Sequence, residues 1–191
     1  MKLERILPFA RSLLEKAVSP GDIVVDATVG NGHDTLYLAR LTGPGGLVYG
    51  FDIQQQALDS CMKKLSEEEL SSRAVLFKCG HEHVKAQIPI EQHGKITAAI
   101  FNLGYLPGGD KSIVTTPDTT LKAVHDLLDI MAVEGIIIVV VYHGHPEGKK
   151  EKIEILEFAA SLDQQRAHVL QYGFINQKNN PPFIIAIEKR G

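Results

Sequence analysis

"VVDATVGNGHDT", residues 24–35, passes from an apolar strand into a helix through a turn that holds two glycines. Asp26 ends the strand. Gly30 and Gly32 permit a tight turn and let a ligand touch backbone. The helix starts near His33, so its first unbonded N–H groups face the crevice. Twenty residues past Gly32, Asp52 closes the next apolar run, "GLVYGFD" (46–52). A carboxylate at that place can accept both hydroxyls of an adenosine ribose. A nicotinamide dinucleotide site needs a third glycine for close helix packing. Thr35 stands there instead, and no phosphate-loop lysine is present.

Working outward, apolar runs alternate with helical patterns. "DIVVDA" (22–27), "GLVYGFD", "RAVLFKC" (73–79), "ITAAIFNL" (96–103) and "GIIIVVVYH" (135–143) read as strands. The last is the most apolar and is expected near the sheet centre, buried on both faces. "HDTLYLARLT" (33–42), "QQQALDSCMKKLSEEEL" (54–70), "DTTLKAVHDLLDIM" (118–131) and "GKKEKIEILEFAASL" (148–162) have helical spacing, and Asp118 or Thr119 is expected to cap the third. The first residues form an amphipathic helix with Leu3, Ile6, Leu7, Leu13 and Leu14 available for one face. "AHVLQYGFI" (167–175) and "PFIIAIEKR" (182–190) follow as two consecutive strands. The order predicts one α/β domain over residues 1–191. It is Rossmann-like, with seven strands in a mostly parallel sheet, helices on both faces and an antiparallel C-terminal hairpin.

The chain has 191 residues, 44% of them hydrophobic and 23% charged, which suits one soluble domain with a sizeable core. Its longest apolar run, "IIIVVVY" (136–142), is far shorter than the roughly 20 residues a membrane helix needs. Charges interrupt the apolar N-terminal positions, so no signal peptide is read there. Cys61 and Cys79 are isolated, which suits a reducing cytoplasm and argues against a disulfide framework or zinc ribbon. His81, His83, His143 and His145 lack supporting cysteine or carboxylate spacing, and no metal is expected. A net charge of −3 argues against a general phosphate-gripping nucleic-acid binder, but a local basic face can act within an acidic total. Candidates for that face are Lys149, Lys150 and Lys152, and the group Lys178, Lys189 and Arg190.

What remains of the first loop is D-x-x-x-G-x-G. An acid at its head repels a pyrophosphate and suits the amino group and sulfonium of S-adenosylmethionine, so Asp26 and Asp34 point to a cationic cofactor. The segment resembles motif I of class I S-adenosylmethionine-dependent methyltransferases, with Asp52 as their motif II acid, and the likeness covers nearly the whole chain. It implies binding of S-adenosyl-L-methionine, and of the product S-adenosyl-L-homocysteine, by Asp26, Thr28, Gly30, Asn31, Gly32, His33 and Asp34, by Asp52, Ile53 and Gln54, by His81 and Glu82 on the adenine side, and by Asn102. Thr28 replaces a common glycine, which is tolerable if its φ stays negative.

In that family the loop after strand four lies beside the methyl group. Here it reads "AAIFNLGYLPGGDKS" (98–112). Asn102-Leu103-Gly104-Tyr105 keeps the polar first and aromatic fourth residue of the amine-methylating tetrapeptide. Asn102 can accept a hydrogen bond from an attacking amine, and Tyr105 can stack on a planar substrate. Asn180-Pro181-Pro182-Phe183 spells the tetrapeptide more fully, yet joins the last two strands. It is expected to be a rigid hairpin turn, with a secondary place at the substrate mouth. Strand five ends "VVYHGHPEGKKE", delivering Tyr142, His143 and His145 to the rim. An alkyl amine is mostly protonated at neutral pH, and His143 or His145 is the candidate base.

The segments "DATVGNGHDT", "FNLGYLPGGDKS", "VVYHGHPEGK" and "YGFINQKNNPPFIIAIEK" resemble a bacterial family labelled rRNA methylases, which includes tRNA wobble-uridine methyltransferases. The resemblance implies a tRNA partner whose 5-aminomethyl-2-thiouridine is methylated on the aminomethyl nitrogen. An rRNA methyltransferase and a small-molecule N-methyltransferase are the alternatives. A homodimer is expected, because one small domain offers little surface to tRNA.

Overall fold

The computed structural model describes residues 2–104, 108, 114–144 and 146–191, with 146, 147 and 149 in backbone alone. Its elements follow the chain as α1 (Ile6–Ala17), β1 (Ile23–Asp26), α2 (His33–Leu41), β2 (Leu47–Phe51), α3 (Gln55–Glu67), β3 (Ala74–Phe77), α4 (Val84–Gln87), β4 (Ile96–Asn102), α5 (Pro117–Ile130), β5 (Met131–Val141), α6 (Pro146–Ser161), β6 (Ala167–Tyr172) and β7 (Phe183–Lys189). The seven strands lie in the order β3-β2-β1-β4-β5-β7-β6. Pairings from β3 through β5 are parallel, and β7 runs antiparallel to both β5 and β6. The expected fold class is the one found.

Period-two alternation sends each strand's side chains to two separate cores. Val25, Tyr49, Ala99, Phe101, Ile137, Val139, Phe183 and Ile185 enter one, which packs beneath α4, α5 and α6. Val24, Val48, Ala98, Ile100, Ile138, Val140, Ile184 and Ala186 enter the other, with Leu14 of α1, Leu38 of α2 and Cys61 and Leu65 of α3. Because most strands are covered on both faces, they read as unbroken apolar runs. β6 is an edge strand and is open by comparison: Val169 and Leu170 are exposed.

Several boundaries differ from the sequence reading, each for a local reason. In α1 the buried stripe is Ile6, Ala10 and Leu14, spaced at i, i+4 and i+8. Leu3 and Leu7 are exposed, at 66% and 44%, because they lie off that stripe. Helix α5 begins at Pro117, whose fixed φ suits a first helical position, so Thr116 takes the N-cap place expected of Asp118 or Thr119. β5 starts earlier, at Met131. Its register against β4 slips between Ile96 and Ala98, and Glu134 adopts φ +63 within the added stretch. β6 stops at Tyr172, short of the expected residue 175.

Parallel strands with helical crossovers put the carboxyl ends of β1, β2, β4 and β5 along one crest. The loops leaving that crest build the site.

Candidate active site

A cleft of about 1040 Å³ opens over the crest. Its floor is the loop after β1. Asp26 lies wholly buried behind that loop. It accepts from the Thr28 backbone N–H at 3.1 Å and from the Thr35 hydroxyl at 2.6 Å, so it braces the turn and does not line the cleft. Burial, then the neighbouring Asp34 charge, push its pKa up to about 7, against the pull of its two hydrogen bonds. Gly32 is also behind the lining. It has φ +77, and a Cβ there would sit 2.6 Å from the Cα of Cys61 on α3. Thr28 avoids the left-handed region, and its hydroxyl accepts the Asn102 N–H at 2.7 Å, tying the loop to the end of β4. Thr28, Gly30, Asn31, His33 and Asp34 all face the cleft.

Asp52 forms one end wall. Its two oxygens accept from the Gly30 and Gln54 N–H groups, each at 2.9 Å, which fixes the carboxylate with lone pairs to spare. Ile53, Gln54, His81 and Glu82 line the same end. His81 is 6% exposed, and its Nδ1 lies 3.0 Å from the Ala27 carbonyl. A carbonyl only accepts, so Nδ1 carries the proton and Nε2 is an acceptor. That Nε2 is buried without a partner among the described residues. Burial lowers the pKa of this histidine, keeping the ring neutral. The Asp52 carboxylate, held with lone pairs to spare, fits the paired hydroxyls of a ribose. Among the described residues, Asp34, Asp52 and Glu82 face the cleft against the single guanidinium of Arg11. This balance suits a cation and disfavours a pyrophosphate.

The opposite end holds the candidate catalytic groups. Asn102, at the close of β4, donates from Nδ2 to Asp34 Oδ2 at 2.5 Å. Tyr142 and His143 follow β5 and join the lining, as does Asn180. His143 Nε2 lies 2.9 Å from the Pro181 carbonyl, so it donates there and only Nδ1 keeps a lone pair. Burial and then Lys152 lower its pKa, and its ring leans on Phe183 at 5.6 Å. The Asn180–Phe183 turn is therefore both a hairpin connection and a wall of the cleft, with Asn180 at φ +45. Tyr105 and His145 lie outside the described residues.

Sequence reading missed Leu7 and Arg11 of α1 and Thr115, Thr116 and Thr119 before and within α5, all of which line the cleft. Leu7 and Arg11 are four residues apart on one side of α1, a signal hidden because Leu7 was counted with the buried stripe. Arg11 stacks 4.9 Å above the Tyr37 ring. Thr115 clips the loop that leaves β4. Its hydroxyl accepts the Gly104 N–H at 3.0 Å and donates to Glu151 Oε2 at 2.9 Å. Thr120 donates to the other oxygen of Glu151, which is 1% exposed on α6. Of the basic groups, Lys178 lies in the turn that carries Asn180. Lys189 and Arg190 bond carbonyls at the far end of the sheet, away from the cleft.

This crest, with a glycine turn, a ribose-type acid on the second strand and a polar residue ending the fourth, defines a class I methyltransferase. Residues 48–188 match the family described as "Putative rRNA methylase", and the chain belongs to that family. It is 34% identical over 189 residues to the chloroplastic tRNA (mnm(5)s(2)U34)-methyltransferase of Arabidopsis thaliana, covering 94% of this chain and 68% of that one. The crystal structure of a "putative rRNA-methylase" from Clostridium thermocellum superposes with TM-score 0.95 at 42% identity, over 99% of this chain and 100% of the other. A "putative methyltransferase" from Streptococcus mutans, crystallised in complex with SAH, gives 0.88 at 37% identity, over 98% and 99%.

Proposed function

We propose that the protein transfers a methyl group from S-adenosylmethionine to the aminomethyl nitrogen of 5-aminomethyl-2-thiouridine at the tRNA wobble position. The observation that carries the amine reading is the state of Asn102. An ionised Asp34 can only accept, so the amide nitrogen must face it, and the side-chain carbonyl is left to meet an N–H of the acceptor. The wobble nucleotide is suggested by the Arabidopsis relative, whose name specifies that substrate. Arg11 and Tyr142 on the cleft lining, with Lys178 in the bordering turn, offer a cation, an exposed ring and a second cation to a single-stranded nucleotide.

When bound, the donor supplies an electrophilic methyl group on a cationic sulfur. The chain's own part is placement. Asp52, Gln54, His81 and Glu82 hold the nucleoside end. The loop from Thr28 to His33 holds the methionine end, and Asn102 aligns the acceptor nitrogen. Alignment of this kind contributes roughly 7–11 kcal/mol to such reactions. Tyr105 is assigned to stacking on the acceptor base. His145 is kept as a base candidate with the Nδ1 of His143.

The test is nucleoside mass spectrometry of tRNA from cells lacking the gene, and of the same tRNA after incubation with purified protein and donor. The aminomethyl nucleoside should accumulate in the first and convert to the methylaminomethyl form in the second. Unchanged tRNA, with label appearing in rRNA, would favour the second reading, which rests on the family's description. We also propose a single domain over 1–191, a cytoplasmic location and a homodimer. No helix among the described residues is long and apolar enough to cross a membrane. Light scattering should give twice the 20.9 kDa chain mass, and a fully active monomer would refute the dimer.

A further inference from the structure

We infer that Asp34 is a catalytic residue: it takes the proton from the acceptor ammonium while Asn102, which it orients, accepts a second N–H of the same nitrogen. The inference rests on the amine-methylation reading and assigns its base. Three observations lead to it. First, Asp34 and Asn102 come from α2 and β4 yet meet at 2.5 Å inside the cleft, so a carboxylate and an amide carbonyl sit side by side. Second, Asp34 is the group that bonds Asn102 directly, whereas His143, elsewhere on the lining, spends its Nε2 proton on Pro181 and leans on Phe183. Third, the cleft's acids are segregated. Asp52 is fixed by Gly30 and Gln54 at the nucleoside end, whereas Asp34 feels Arg11 of α1 and in turn acts on Tyr142 after β5.

The surroundings of Asp34 also fit the task. Burial raises its pKa, and Arg11, the Asn102 hydrogen bond and His33 oppose the rise. A carboxylate made more basic by burial accepts a proton more readily than an exposed one. An acceptor ammonium entering the same half-buried place loses hydration, which lowers its own pKa. The two therefore approach each other in proton affinity.

The chemistry balances. The acceptor R–CH2–NH3+ gives one proton to the Asp34 carboxylate. The freed lone pair forms the N–C bond as the methyl carbon's bond to sulfur breaks, and that electron pair stays on sulfur as a neutral thioether. The product is a secondary ammonium, and Asp34 returns its proton to water.

A different role competes for the same carboxylate: binding the amino group of the methyl donor. Asp34→Asn separates the two, because it is near-isosteric and can still bond Asn102. Calorimetric titration with S-adenosylhomocysteine reads donor binding alone. Single-turnover transfer to tRNA carrying the aminomethyl nucleoside reads catalysis. Loss of a general base costs roughly 10²–10⁴-fold in rate. We expect transfer to fall at least 100-fold with affinity for S-adenosylhomocysteine kept within tenfold. Asp34→Glu, which keeps a carboxylate, should retain more activity than Asp34→Asn and guards against a folding artefact. A tenfold or greater loss of affinity in both folded variants, or a rate loss under 100-fold in Asp34→Asn, overturns the inference while leaving the amine reading intact. If the unaltered protein transfers nothing to that tRNA, the amine reading falls and the inference with it.

Discussion

Asp26 has no exposed atom, yet it braces the glycine turn beneath the cleft. Its pKa rises from 3.8 to about 7 in the folded protein, chiefly through burial. A raised acid pKa means that the folded state holds the proton more tightly than the unfolded chain. The associated stability is complete below pH 3.8 and drains away as pH rises through about 7. Asp26→Asn removes that loss and can keep both contacts, accepting from Thr28 and donating to Thr35. Relative to the unaltered protein, its stability should improve between pH 5 and pH 8 by on the order of 3 kcal/mol. Denaturant titrations at the two pH values measure this, and a difference that does not change with pH would refute it. Residues of this kind were legible in sequence only by position. "DATVGNGHD" marks Asp26 and Asp34 as acids of one loop, but only the fold shows that the first is walled in and the second faces the cleft. His81 was legible as a candidate. Its tautomer was not, because the Ala27 carbonyl that fixes it lies 54 positions away in the chain.

At the scale of elements, the glycine turn and the loop after β4 are each fastened by a distant partner. Gly32 is pressed against α3 with positive φ, so Gly32→Ala meets both backbone strain and the Cα of Cys61. Strain of about 1–2 kcal/mol and overpacking of about 1–3 kcal/mol predict a loss of roughly 2–5 kcal/mol in denaturant titration. A loss under 1 kcal/mol would show that α3 yields easily. Thr115 joins the Gly104 backbone to Glu151, so Thr115→Val should free the chain just past Asn102. With the proposed tRNA acceptor we expect kcat/KM to drop roughly tenfold, with Thr115→Ser near normal and S-adenosylhomocysteine affinity unchanged in both. Equal activity of the valine and serine variants would remove the clip from the mechanism. The alternation of strands and helices was readable because apolar periodicity is local. The clip was not, since Thr115 and Glu151 are 36 residues apart and their hydrogen bonds leave no periodic trace. The phase of α1 was misjudged for a related reason. Exposed Leu3 and Leu7 resemble core leucines until the sheet beneath them is known, and that error concealed Arg11.

For the whole molecule, two apolar layers share one sheet, so neither persists without the other and unfolding should be a single cooperative step. S-adenosylhomocysteine at 100 times its Kd should add about 2.7 kcal/mol, raising the melting temperature by roughly 5–10 °C. No shift, or a shift confined to one of two transitions, would contradict a cleft built on a unitary fold. The strand order carries one more implication. β7, synthesised after the other six strands, occupies the slot between β5 and β6, and the turn just before it supplies the carbonyl that grips His143. While the nascent polypeptide is still emerging, β5 keeps a bare flank, β6 has no neighbour and His143 has no anchor. When the final strand slides home it pairs both flanks at once and brings the Pro181 carbonyl to His143, so that wall of the cleft is the last to be built.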